Sequence, residues 1–167
     1  MEFASICLLW LIAVAVYDFR ERRVPNWLVL AGIVFALAAQ ALSSNPFGSS
    51  WQSSFWGGTI GFGFLMFFYV TGLMGAGDVK FTGALGLWVG FSALVPIWII
   101  ASLMAGAHSV LWLALKHWPF FPRLALVLAG PSRASEPNAL PRRVRIIPYA
   151  AYLALAAAAW MVWGRQS

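Results

Sequence analysis

Charged residues are nearly absent from six long stretches of this chain and crowd into the joins between them. The apolar stretches run over about 1–17, 27–42, 55–73, 79–91, 95–115 and 146–163. A helix that crosses a bilayer needs about 20 consecutive apolar residues. The pattern therefore predicts an all-α, polytopic membrane protein with about six transmembrane helices. Composition agrees. Hydrophobic residues make up 62% of the 167 positions and charged residues only 10%, where a soluble domain is about half apolar and about a quarter charged. The net charge of +6 does not point to nucleic acid, because the basic residues sit in short connections. Cys7 stands alone in the first apolar stretch. One cysteine makes neither an internal disulfide nor a cysteine-rich zinc site, so it reads as packing.

The connections differ in charge. "RERRVPN" at 20–26 carries three arginines, and 43–54 carries no charge. The segment 116–145 carries six basic residues and one acid. Basic loops stay on the cytoplasmic side. That rule places both termini outside and ten of the eleven Lys/Arg residues in the cytoplasm, with Arg165 outside. The first stretch lacks a basic leading region, so it is not expected to be a cleaved signal peptide. Within 116–145, "FFPRLALVLAG" is apolar but too short to span, and is expected to lie in the membrane interface. No repeat appears, and residues 1–167 read as a single membrane-embedded domain.

Of five acids, Glu2 is terminal, and Glu21 and Glu136 lie in basic loops. Asp18 and Asp78 differ: each touches the end of an apolar segment. Helices 2 and 3 cross out and back, so both carboxylates fall at the cytoplasmic level. A carboxylate near hydrocarbon is costly and usually faces a bundle interior or a wet cavity. Two that converge cannot both ionise cheaply and tend to share one proton. That is the condition for an aspartic protease, in which one carboxylate takes a proton from water and the other gives one to the carbonyl oxygen. Asp78 also suits an N-cap of the fourth helix. Gly72, Gly75 and Gly77 around it leave room for a substrate strand to lie beside the acid.

"GAGDVK" at 75–80 resembles the GxGD motif of the type IV prepilin peptidases. "YDFRERRVPNWL" at 17–28 resembles that family's first aspartate block, and "IIPYAAYLALA" at 146–156 its third, where Pro-Tyr opens the last helix. Presenilin-like and signal-peptide-peptidase-like proteases share GxGD, but the basic Pro-Asn continuation favours the prepilin branch. The resemblance implies an aspartic endopeptidase of the bacterial inner membrane with Asp18 and Asp78 as its catalytic pair. It would remove leaders from prepilins or pseudopilins at the cytoplasmic face, in partnership with pilus or secretion machinery. Bifunctional members carry an N-terminal segment with paired cysteines and also N-methylate the product. Helix 1 begins at once here, so neither a zinc site nor methyl transfer is expected, and no cofactor is implied. The short form resembles the peptidases of tight-adherence (Flp) pilus systems. Ala150 stands where the family usually has glycine.

Other residues fill in the reading. Lys80 lies about 200° round a helix from Asp78 and suits lipid headgroups or an acidic part of the substrate. Pro25 fits the first turn of helix 2, and Asn26 can bond the loop that holds Asp18. Arg20, Arg22 and Arg23 set the topology. Gly57/Gly61 and Gly86/Gly90 are small-residue pairs that let membrane helices approach. His108 reads as a hydrogen-bonded interior residue, and neither it nor His117 has acidic companions for a metal. The competing class is a small proton-coupled transporter subunit, which would place its acid nearer mid-membrane within inverted repeats. A non-catalytic scaffold is a third reading, and it predicts that Asp→Asn changes leave function intact.

Overall fold

The computed structural model describes residues 2–117 and 147–163. Every regular element among them is a helix: α1 (Glu2–Glu21), α2 (Asn26–Ala41), α3 (Trp51–Val70), a long stretch Ala76–His117, and a last helix Tyr149–Trp163. The long stretch breaks at Gly90, which takes φ 74 and ψ 173. Its arms are α4 (76–89) and α5 (91–117), and the last helix is α6. All six expected segments are thus helical. By length and composition three helices are long and apolar enough to cross a membrane: α1, α3 and the stretch Ala76–Ala114. The apolar helices α2 and α6 are shorter. The interfacial segment expected at 120–130 lies outside the described residues, as does Arg165.

Gly90 reverses the chain. The side chains of Thr82 and Leu94 both lie within 3.3 Å of the point where a Cβ on Gly61 would sit. Twelve residues of straight helix span about 18 Å, so α5 must fold back along α4. The apolar stretches 79–91 and 95–115 put the break between them, where Pro96 is the best turn signal, but the chain turns at Gly90 and Pro96 lies within α5. The conformation at 90 belongs to a region that only glycine occupies freely. Ser53 of α3 completes the turn by accepting the N–H of Phe91 at 3.1 Å.

The small-residue pairs do not join α1 to α4. They seat α3 on α4, where a Cβ on Gly57 would lie 2.6 Å from the carbonyl oxygen of Gly86. Aromatic side chains bridge α1 to α4 instead. Trp10 packs on Phe81 and Trp88, with ring centroids 5.3 and 6.2 Å apart. The two indole N–H groups donate to backbone carbonyls of α2, Trp10 to Leu28 at 2.8 Å and Trp88 to Gly32 at 3.0 Å. The first turns of α6 are buried in the bundle, and its far end around Trp160 and Trp163 is exposed. Ala150, Ala151, Ala154, Ala156 and Ala157 are closed to solvent, and these small residues let α6 pass close to α1. Cys7 is buried in the same core. Large apolar residues such as Leu9, Val34, Phe67 and Leu103 point outward, as they would toward lipid.

Candidate active site

The stretch "GLMGAGDVK" resolves into two helix ends. Gly72, at φ 75, closes α3. Its N–H reaches Tyr69 O at 2.9 Å, and the N–H of Leu73 reaches Phe68 O at 3.0 Å, the paired bonds of a Schellman cap. Gly75 opens α4, its carbonyl accepting from Asp78 N at 3.1 Å and Val79 N at 3.4 Å. Asp78 therefore lies inside the first turn of α4 and is not its N-cap. A carboxylate there is favoured by the helix dipole. Gly77 is the second residue of the helix. Of the three glycines, only Gly72 needs a positive φ.

Asp18 lies in the last turn of α1, which continues to Glu21, past the expected end at Tyr17. Arg22 then adopts φ 54, and its N–H bonds Asp18 O at 2.9 Å. This is the left-handed helix stop that usually carries glycine. An L-residue there costs about 1–2 kcal/mol. The turn carries the guanidinium back within electrostatic reach of Asp18 and Tyr152. Burial lowers the Arg22 pKa from its ordinary value, and the charge of Asp18 opposes that shift.

Both carboxylates are buried, Asp18 at 1% exposure and Asp78 at 3%. Asp18 bonds the first turn of α6, and Asp78 lies within electrostatic reach of it. Asp18 Oδ2 accepts the backbone N–H of Ala151 at 2.9 Å, a charge-assisted bond to one of the donors that a helix start leaves over. Asp78 lies within electrostatic reach of Tyr149. The Tyr149 hydroxyl bonds Ser102 Oγ of α5 at 3.1 Å. One turn on, the Tyr152 hydroxyl meets His108 Nδ1 at 2.5 Å, and its ring packs edge-on to Phe19 at 5.8 Å. His108 is thus hydrogen-bonded inside the bundle, as expected. The start of α6 therefore brings together two acids that lie 60 residues apart in sequence.

The remaining expected site residues fall elsewhere. Pro25 is the N-cap of α2 and not its first residue, with ψ 144. Asn26 begins α2, and its Oδ1 accepts from Lys80 Nζ at 3.1 Å. This pair is exposed. Lys80, Gly83 and Ala84 lie about 140–240° round α4 from Asp78, at ~100° per residue. Tyr152, Ser102 and the return of Arg22 were not foreseen. Tyr149 and Tyr152 are the only polar side chains in "YAAYLALA", and their i, i+3 spacing was the available signal.

Residues 5–110 match the model of the type IV leader peptidase family. The chain belongs to that family. A prepilin leader peptidase/N-methyltransferase of Xanthomonas campestris pv. campestris is 28% identical over 168 residues, covering 94% of this chain and 48% of its own length. One of Stutzerimonas stutzeri is 30% identical over 173 residues, covering 98% of this chain and 50% of its own. The chain thus spans about half the length of these curated relatives. No solved structure matches it. The family match takes in α1 to α4 and most of α5, and hence both aspartates. The two relatives carry a leader-peptidase name, and this chain shares their family and has long apolar helices.

Proposed function

We propose that this leader peptidase is an aspartic endopeptidase in which Asp18 and Asp78 act as a pair. The observation that carries this reading is the burial of both carboxylates against one turn of α6. One carboxylate is ionised and removes a proton from water as the water oxygen attacks the scissile carbonyl. The other gives its proton to the carbonyl oxygen. Collapse of the tetrahedral species breaks the C–N bond, and the leaving amine takes a proton from the pair. The N–H of Ala151 holds Asp18 in place, and Tyr149 lies beside Asp78. The short connection 73–75 gives an extended substrate backbone room to approach, with Gly75 and Gly77 leaving the start of α4 free of bulk.

The substrate is a prepilin or pseudopilin, cut between its leader and its apolar helix at the cytoplasmic face of the bacterial inner membrane. The three arginines of 20–26 support that orientation, with both chain termini outside. A pilus or secretion assembly would receive the product. The proposal concerns the peptidase step.

The test is co-expression of an Flp-type prepilin with wild type, Asp18→Asn and Asp78→Asn. The new N-terminus is read by mass spectrometry. Cleavage should vanish in each variant at equal membrane levels. Undiminished cleavage in either would remove that residue from the mechanism.

A further inference from the structure

A groove of about 300 Å³ runs between α2 and α3 across the face of α4. Leu30 and Phe62 form exposed apolar rims, and Val29, Gly83 and Ala84 form its floor. At one end stand Lys80 and Asn26, joined at 3.1 Å. Ile33 lies two turns further along α2, about 10 Å from the level of Asn26. The groove therefore has one polar end and an apolar length. Its polar end sits at the N-terminus of α2, whose leading N–H groups favour an anion. It also adjoins the connection that carries Arg20, Arg22 and Arg23. Its apolar length opens outward between exposed hydrophobic side chains.

We propose that this groove is a binding site for an anionic phospholipid, with the phosphate on Lys80 and Asn26 and an acyl chain along Val29, Ile33 and Gly83. The polarity selects the ligand: a single cation at the mouth, then only apolar walls, matches a headgroup followed by a chain. Geometry separates the groove from the carboxylates, because its α4 residues occupy the half of the helix turned away from Asp78. A substrate backbone lying on Asp18 and Asp78 would not lie in it. Lipid in this groove requires no role for the carboxylates.

The test is native mass spectrometry of the purified full chain in detergent, with phosphatidylglycerol or phosphatidylcholine added. Wild type should retain one phosphatidylglycerol in preference to phosphatidylcholine. Lys80→Gln should weaken phosphatidylglycerol retention about fivefold, the effect of one lysine at an anionic lipid surface. Lys80→Arg should restore it. Leu30→Gln, which makes the exposed rim polar, should weaken retention of both lipids while keeping the wild-type unfolding temperature in lipid-free detergent to within a few degrees. Inorganic phosphate at the same concentrations should not compete. Equal retention by wild type and Lys80→Gln would overturn the proposal, as would competition by phosphate alone. So would retention unchanged by Lys80→Gln combined with lost peptide cleavage in lipid-free detergent, which would give the groove to the substrate.

Discussion

Among the described residues the bundle carries a cluster of polar groups built on the carboxylates at the start of α6 and another beside the Gly90 turn. The second is neutral. Gln40 donates to Ser54 Oγ, and Ser49 and Ser54 share a bond of 2.8 Å. Asn45 Nδ2 and Ser49 Oγ both donate to the carbonyl of Trp88, at 3.0 and 3.1 Å. That carbonyl is one of the last in α4, and the break at Gly90 removes its helical partner. The cluster therefore closes a helix end. The first cluster has two buried acids and a half-buried arginine in a left-handed turn. Neutral groups that satisfy one another hold a shape. Buried charges cost stability and persist where their chemistry is used.

Neutralising an acid should have the largest effect. Asp18→Asn or Asp78→Asn should lower leader cleavage by roughly 10²–10⁴-fold, the reach of general acid–base catalysis. The unfolding temperature in detergent should hold or rise, because a buried charge is lost. A large fall in unfolding temperature would make that end structural after all.

Gly90→Ala should do the reverse. The added Cβ would sit 2.6 Å from Ser53 Oγ, in a conformation with φ 74 and ψ 173. The cost is about 1–3 kcal/mol from the backbone alone. Thermal unfolding should drop, while cleavage per folded molecule stays near wild type.

Much of this division was legible beforehand. The apolar runs give the helices, and the two crossings between Asp18 and Asp78 put the acids at one end. The position of the turn was not legible. Gly90 serves as a turn, but in sequence it looks like the second member of a packing pair with Gly86, and Pro96 carries the stronger turn signal. The end of α1 was also hidden. Hydropathy falls at Asp18, yet the helix continues through Arg20 and Glu21 because hydrogen bonding, not hydropathy, ends a helix. The partners of Tyr152 and Lys80 lie 44 and 54 residues away. No local pattern encodes such pairs.

Arg22 offers a finer test of what the catalytic end gives up. Arg22→Gly should relieve about 1 kcal/mol of left-handed strain, visible as a higher unfolding temperature. It removes the guanidinium near Asp18, so cleavage should fall severalfold. A variant that is more stable and equally active would show that the arginine serves topology alone.

The smallest effects come from a matched pair, one neutral hydrogen bond removed at each end. Ser53→Ala removes the bond from the Phe91 N–H. Tyr149→Phe removes the bond to Ser102. Each should cost about 0.5–1.5 kcal/mol of stability, the net worth of one such bond. The two should separate on activity. Tyr149 lies in reach of Asp78, so its loss should lower kcat for leader cleavage at an unchanged KM. Ser53 belongs to the turn at Gly90, so the loss of its hydroxyl should leave both constants alone. Equal activity in the two variants would mean that Tyr149 only packs α6 against α5. The functional cluster would then shrink to the two carboxylates, the Ala151 N–H and Arg22.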